Sequence, residues 1–184
     1  MKRNSTLKTV LALSLMATVM TSCSSDDDTP EVVNEEEIIT TMTVTLTSAN
    51  GSATLQSQDL DGDGPNAPVV TADNLSANTT YTGSIVLLNE TETPAEDITE
   101  EVEEEADEHQ FFFGLSGSLS EVTYSDTDED GNPVGLEFEL TTGDAGSGTI
   151  TITLRHEPTK PNDGTLADAG GETDIAQTFS VTVE

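Results

Sequence analysis

The sequence predicts a mainly β protein: an antiparallel β-sandwich, immunoglobulin-like or jelly-roll-like, with one short acidic helix, set behind a signal peptide and a flexible linker. Three observations predict it. From Ile38 onward, apolar residues alternate with Thr and Ser in short runs, the period of a half-buried strand. Gly, Asn and Asp turns separate those runs at the spacing of a sandwich or barrel. One stretch, Thr93 to His109, places an apolar residue at every fourth position instead.

Met42, Val44 and Leu46 alternate with Thr41, Thr43, Thr45 and Thr47, a β-forming pattern with one apolar face. Asn50-Gly51 signals a turn, and Ser52 to Gln58 reads as the returning strand around Leu55. Asp59 to Pro68 is an acidic Gly/Pro loop, followed by a short strand from Val69 to Leu75. Thr79 to Asn89 sets Tyr81, Ile85 and Leu87 on one face and Val86 and Leu88 on the other. Thr93-Pro94-Ala95-Glu96 fits a capping box with proline at the first helical position, so the helix is expected from Thr93 to His109. Ile98, Val102 and Ala106 form its inward stripe. Acids crowd its C-terminal half, the unfavourable end of the helix dipole, a cost that a cation or His109 must offset. The unbroken Phe111-Phe112-Phe113 reads as a buried strand from Gln110 to Ser116. Later inward faces are marked by Val122 and Tyr124, by Leu136, Phe138 and Leu140, by Ile150, Ile152 and Leu154, and by Phe179, Val181 and Val183.

The N-terminus has a different logic. Lys2, Arg3 and Lys8 precede an apolar core from Val10 to Met20, and Met20-Thr21-Ser22-Cys23 closes it with small residues. This is the layout of a secretory signal, too short for a spanning helix. The chain's one cysteine sits where cleavage is expected, so the segment resembles a lipobox, with Met20 in place of the usual Leu. In bacterial lipoproteins that cysteine is diacylated and becomes the first mature residue. The resemblance implies a signal peptide over 1–22, a lipidated Cys23 with an acidic linker to residue 37, and a single sandwich domain over 38–184. Ser24-Ser25-Asp26-Asp27-Asp28 resembles the acidic export tag of Bacteroidota surface lipoproteins, which implies display on the outer face of the outer membrane. Residues 1–22 hold three of the five basic residues and none of the 36 acids. The remainder has only Arg155 and Lys160 as cations and a formal charge of −34. Such a surface repels nucleic acid and anionic headgroups and attracts cations. With one cysteine there is no internal disulfide, so stability rests on packing and on any bound cations.

Several clusters are candidates for binding. Asp126, Asp128, Asp130, Asn132 and Glu137 have the spacing of a calcium loop, with Gly131 at the sharp turn. The flanks alternate as strands, and a hairpin turned at Asp130-Gly131 explains the same residues without an ion. Asp59, Asp61 and Asp63 repeat the first half of the pattern but lack the late carboxylate, since Val70 stands there. His109 and His156, with Glu108, offer imidazole and carboxylate donors for a transition metal if the fold unites them. Asp163 to Asp174 is a long loop of small and acidic residues. Catalytic signals are weak: no cysteine nucleophile remains once Cys23 is lipidated, and no nucleophile elbow or phosphate loop is present.

Thr153-Leu154-Arg155-His156-Glu157-Pro158 through Ile175, Asp59 to Pro68 and Glu100 to Phe113 together resemble a family of small flavobacterial surface lipoproteins without an established activity. The expected role is a lipid-anchored, non-catalytic binding or accessory module that takes Ca²⁺ or another divalent cation. Its expected partners are the membrane, through the lipid on Cys23, and an outer-membrane transporter or other envelope protein, with no nucleic acid. The alternatives are an envelope hydrolase using paired carboxylates and a structural or adhesion protein.

Overall fold

Strand formation follows the alternation. The structure, a computed structural model, describes residues 38–62 and 64–184. The signal peptide, Cys23 and the linker, all within residues 1–37, and Asp63 lie outside the described residues. β1 (Thr41–Ser48) turns at Asn50 into β2 (Gly51–Gln58), and β3 (Val69–Ala72) pairs along the far side of β2. β4 (Thr80–Asn89) returns beside β1, so the order β3-β2-β1-β4 is a Greek key. β8 (Glu137–Thr142) and β7 (Leu119–Tyr124) extend this sheet, and the two-residue β5 (Glu96–Asp97) pairs with the end of β4. The second sheet has the order β10 (Glu172–Val183), β9 (Gly146–His156), β6 (His109–Gly117). Every pairing between these strands is antiparallel.

The two inner faces meet in one core. Met42, Val44, Leu46, Leu87, Phe138 and Leu140 from the larger sheet and Phe111, Ile150, Ile152, Leu154 and Phe179 from the smaller one are all 0 % exposed. These are the period-two positions, so burial of alternate side chains sets the register of both sheets. Among the described residues, no helix is long and apolar enough to cross a membrane.

The helix is shorter than its sequence implies. α1 spans Ile98–Glu104 and is capped by Asp97 rather than Thr93: the Thr99 N–H donates to the Asp97 carboxylate at 3.0 Å. Glu96 and Asp97 pair with Asn89 and Leu88, so the chain is still extended where the capping box would start a helix. The expected stripe holds, with Ile98 and Val102 buried and Ala106 partly buried against the core. The Leu87 N–H donates to the Thr99 hydroxyl at 3.0 Å, which fixes α1 to β4. His109 opens β6 instead of ending the helix.

The phenylalanine run divides between two environments. Phe111 and Phe113 pair with Leu154 and Ile152 on the inner side, whereas Phe112 pairs with Thr153 on the outer side and is still only 3 % exposed. The segment 157–171 between β9 and β10 lies over it. The free edge of β6 is sealed as well: the Phe111 N–H donates to the Val134 carbonyl and the Tyr124 hydroxyl to the Phe111 carbonyl, each at 2.7 Å. Gly135 permits that approach, since at φ +96° an added Cβ would lie 2.9 Å from Phe111 and from the Tyr124 ring.

Candidate metal centre

The end of α1 has no basic residue in its last turn. The carbonyls just past its last residue are met by side chains further along the chain. His109 Nδ1 lies 3.1 Å from the Glu105 carbonyl, and the Lys160 ammonium donates to the Ala106 carbonyl at 2.6 Å. The compensation expected of His109 is present, and a lysine shares it. A carbonyl only accepts, so Nδ1 carries the His109 proton. Burial pushes the His109 pKa below its usual value, outweighing the Glu105 carbonyl and the nearby carboxylates that favour the charged form.

His109 and His156 face each other across the β6–β9 ladder, and their rings stack with centroids 4.7 Å apart and planes at 17°. His156 Nε2 is 3.6 Å from Glu108 Oε2. One position further, the Glu157 N–H donates to the Glu108 carbonyl at 2.7 Å. At Glu157 the chain leaves β9 through a left-handed backbone, φ +48°, which ends the strand alternation. One ligand atom each from Glu108, His156 and Glu157 then lie within 4.8 Å of one another. Among the described residues this is the one such group of three or more His, Cys, Asp or Glu. Two donors bonded to one ion at ~2.1 Å are at most about 4.2 Å apart, a spacing close to that of these three atoms.

The donor set fits a borderline divalent ion such as Zn²⁺ better than Ca²⁺, which wants six to eight oxygens. Glu108 and Glu157 are exposed, while the His156 side chain is 12 % exposed. Three protein donors leave positions open to water or to an outside ligand. Of the three residues the sequence suggested, Glu108 and His156 converge, and Glu157 takes the place expected of His109. His109 stacks behind His156 with Nδ1 committed to Glu105. The sequence signal for Glu157 was only its adjacency to His156.

In the calcium-spaced loop, two of the carboxylates accept hydrogen bonds from within the chain. Asp126 accepts the Gly135 N–H at 2.7 Å and the Glu137 N–H at 3.1 Å. Asp128 Oδ1 accepts the N–H groups of Asp130 (3.0 Å) and Asn132 (2.8 Å). Asp128 Oδ2 accepts the Asn132 amide at 3.0 Å and the Lys160 ammonium at 3.2 Å. Carboxylates at loop positions one and three thus serve as acceptors for backbone donors, Asp128 in an Asx-turn with Asp130 and Asp126 by tying the two flanks of the loop together. The cation beside Asp128 is the protein's own lysine, and that pair is nearly buried, with side chains 1 % and 6 % exposed. Asp130 and Glu137 stay exposed. In the other acidic loop, Asp61 accepts the Asn66 amide at 2.7 Å, Asp59 sits at the end of β2 with its N–H donating to the Thr40 carbonyl, and Asp63 lies outside the described residues. Lys160 was missed by sequence reasoning, although its rarity, as one of two cations after the signal, was a usable signal.

Comparison with known proteins finds no family model, no curated protein and no solved structure that matches this chain. The functional reading therefore rests on the residues themselves.

Proposed function

We propose that the chain is a lipid-anchored envelope lipoprotein, displayed at the outer membrane. In this reading its sandwich is a non-catalytic module that binds a divalent transition-metal ion through Glu108, His156 and Glu157 and offers it to a transporter or other envelope protein. The observation that carries the metal reading is the convergence of one imidazole and two carboxylates within 4.8 Å where β6 begins and β9 ends. The field of a chain with 36 acids draws cations towards it. Both cations of the domain are engaged elsewhere, Lys160 with Asp128 and Arg155 with the Gly170 and Gly171 carbonyls, so neither neutralises Glu108 and Glu157. The anchor reading is supported by the basic, apolar, small-residue layout ending at Cys23.

Zn²⁺ at a hundredfold excess over its dissociation constant should stabilise the fold by about 2.7 kcal/mol, read as a rise in melting temperature. His156→Ala should remove that rise and leave the smaller effect of equal ionic strength from Na⁺. An equal rise in both proteins contradicts the metal reading. The anchor is tested separately: Cys23→Ala should move the protein from the membrane fraction to the soluble fraction, and unchanged membrane retention contradicts it.

A further inference from the structure

We infer that His109 is the positioning residue of the metal site: its buried ring, stacked on His156, holds that imidazole with Nε2 turned towards Glu108. The inference rests on the metal reading above and adds the group that sets the direction of its nitrogen ligand.

A metal-bound imidazole needs its plane fixed as well as its position. The outer torsion of a histidine side chain is broad and roughly two-fold, so the backbone alone does not set the ring plane. In most metal sites the ring nitrogen away from the ion donates to a carboxylate or a backbone carbonyl, and that bond holds the ring. His156 is arranged differently. Its Nε2 lies 3.6 Å from Glu108 Oε2. Among the described residues its Nδ1 has no hydrogen-bond partner. What lies flat against the ring is His109, with centroids 4.7 Å apart and planes at 17°.

His109 can act as that support because it is itself held. It is 0 % exposed and sits directly opposite His156 in the β6–β9 register. Its Nδ1–H donates to the Glu105 carbonyl at 3.1 Å, and the same carbonyl accepts the Glu108 N–H at 2.9 Å. One carbonyl thus anchors both the supporting ring and the backbone of a ligand residue. The Glu157 N–H closes the arrangement by donating to the Glu108 carbonyl at 2.7 Å. Glu108 and Glu157 are exposed, so their carboxylates can move to meet an ion. The imidazole is the ligand whose direction the fold decides, and a ligand held in place beforehand gives the tighter site.

Two substitutions separate the ring from its hydrogen bond. His109→Phe keeps a flat ring against His156 and loses the bond to Glu105. His109→Gln keeps a donor and loses the ring. The full-length protein in detergent is titrated with Co²⁺, and affinity and visible spectrum are read for wild type and both variants. His109→Phe should keep the wild-type affinity and spectrum. His109→Gln should weaken binding at least about tenfold, the usual loss when the support of a ligand is removed, and shift the spectrum. A general packing role would lower the metal-free melting temperature and the affinity together in both variants. If His109→Gln does not fold, His109→Leu is read in its place, with the same loss expected. Wild-type affinity without the ring, or an equal loss in His109→Phe, overturns the inference and leaves the metal reading standing. A wild type without a defined Co²⁺ spectrum overturns both.

Discussion

Lys160→Met is expected to destabilise the domain by about 3–5 kcal/mol, because it leaves the Asp128 carboxylate buried without its counter-ion. For a domain of this size that corresponds to a fall in melting temperature of roughly 10 °C or more. The loss is larger than an exposed ion pair would give, since Asp128 is 1 % and Lys160 6 % exposed at the side chain. Adding Asp128→Asn to Lys160→Met should recover part of the loss, so the two changes are not additive. The pH dependence has a defined sign. Burial pushes the Asp128 pKa up, but the Asn132 side chain and N–H and the Lys160 ammonium outweigh it and hold the carboxyl below its usual value of 3.8. The folded pKa is depressed, so the stabilisation is fully present above the unfolded value and is lost as pH falls through the folded one. Acid unfolding followed by circular dichroism should therefore differ between wild type and Lys160→Met most at neutral pH and least in strong acid. Equal stability at neutral pH would show that the lysine is not the counter-ion of this loop.

Phe138→Ala should cost about 3–5 kcal/mol, the range for truncating a fully buried aromatic. Its ring lies over Gly83, its cross-strand neighbour on β4, and packs against Phe113 at a centroid distance of 4.7 Å. A Cβ added at Gly83 would come within 2.4 Å of the ring. Gly83→Ala alone should then cost about 1–3 kcal/mol by overpacking. In the Phe138→Ala background the same alanine should be neutral or stabilising, because it enters the space that the ring vacates. Denaturant unfolding of the four proteins checks this, and additive losses would contradict the packing described.

The sandwich was legible because period-two burial is a local signal. Met42, Val44 and Leu46, or Ile150, Ile152 and Leu154, announce their face without knowledge of their partners. Features that depend on distant partners were not legible. Thr93 to Glu96 satisfies a capping box, but pairing of Glu96 and Asp97 with β4 moved the helix start to Ile98. Phe111-Phe112-Phe113 signalled burial without saying that a loop some fifty residues later would cover the outer ring. The Asp126–Glu137 spacing gives carboxylates in a curled loop and is silent on whether their oxygens meet a cation or backbone N–H groups. In the structure Asp126 and Asp128 accept N–H groups, and the late turn at Gly131 is shared by both outcomes. The strand-end histidines were visible as donors, and their meeting follows from the β6–β9 register, which no single-strand pattern encodes.

The central claim, a divalent-metal site at Glu108, His156 and Glu157, is tested most directly by titrating the purified full-length protein in detergent with Co²⁺ and following its visible absorption. Wild type should give a saturable nitrogen/oxygen-ligand spectrum at one equivalent, which Zn²⁺ displaces. His156→Ala should weaken binding at least about tenfold, or ~1.4 kcal/mol. Glu100→Gln on α1, which removes the same charge outside the cluster, should leave the spectrum and the stoichiometry unchanged. A wild-type spectrum indistinguishable from aqueous Co²⁺, or an equal loss from Glu100→Gln and His156→Ala, would mean that the acidic surface attracts cations without a defined site.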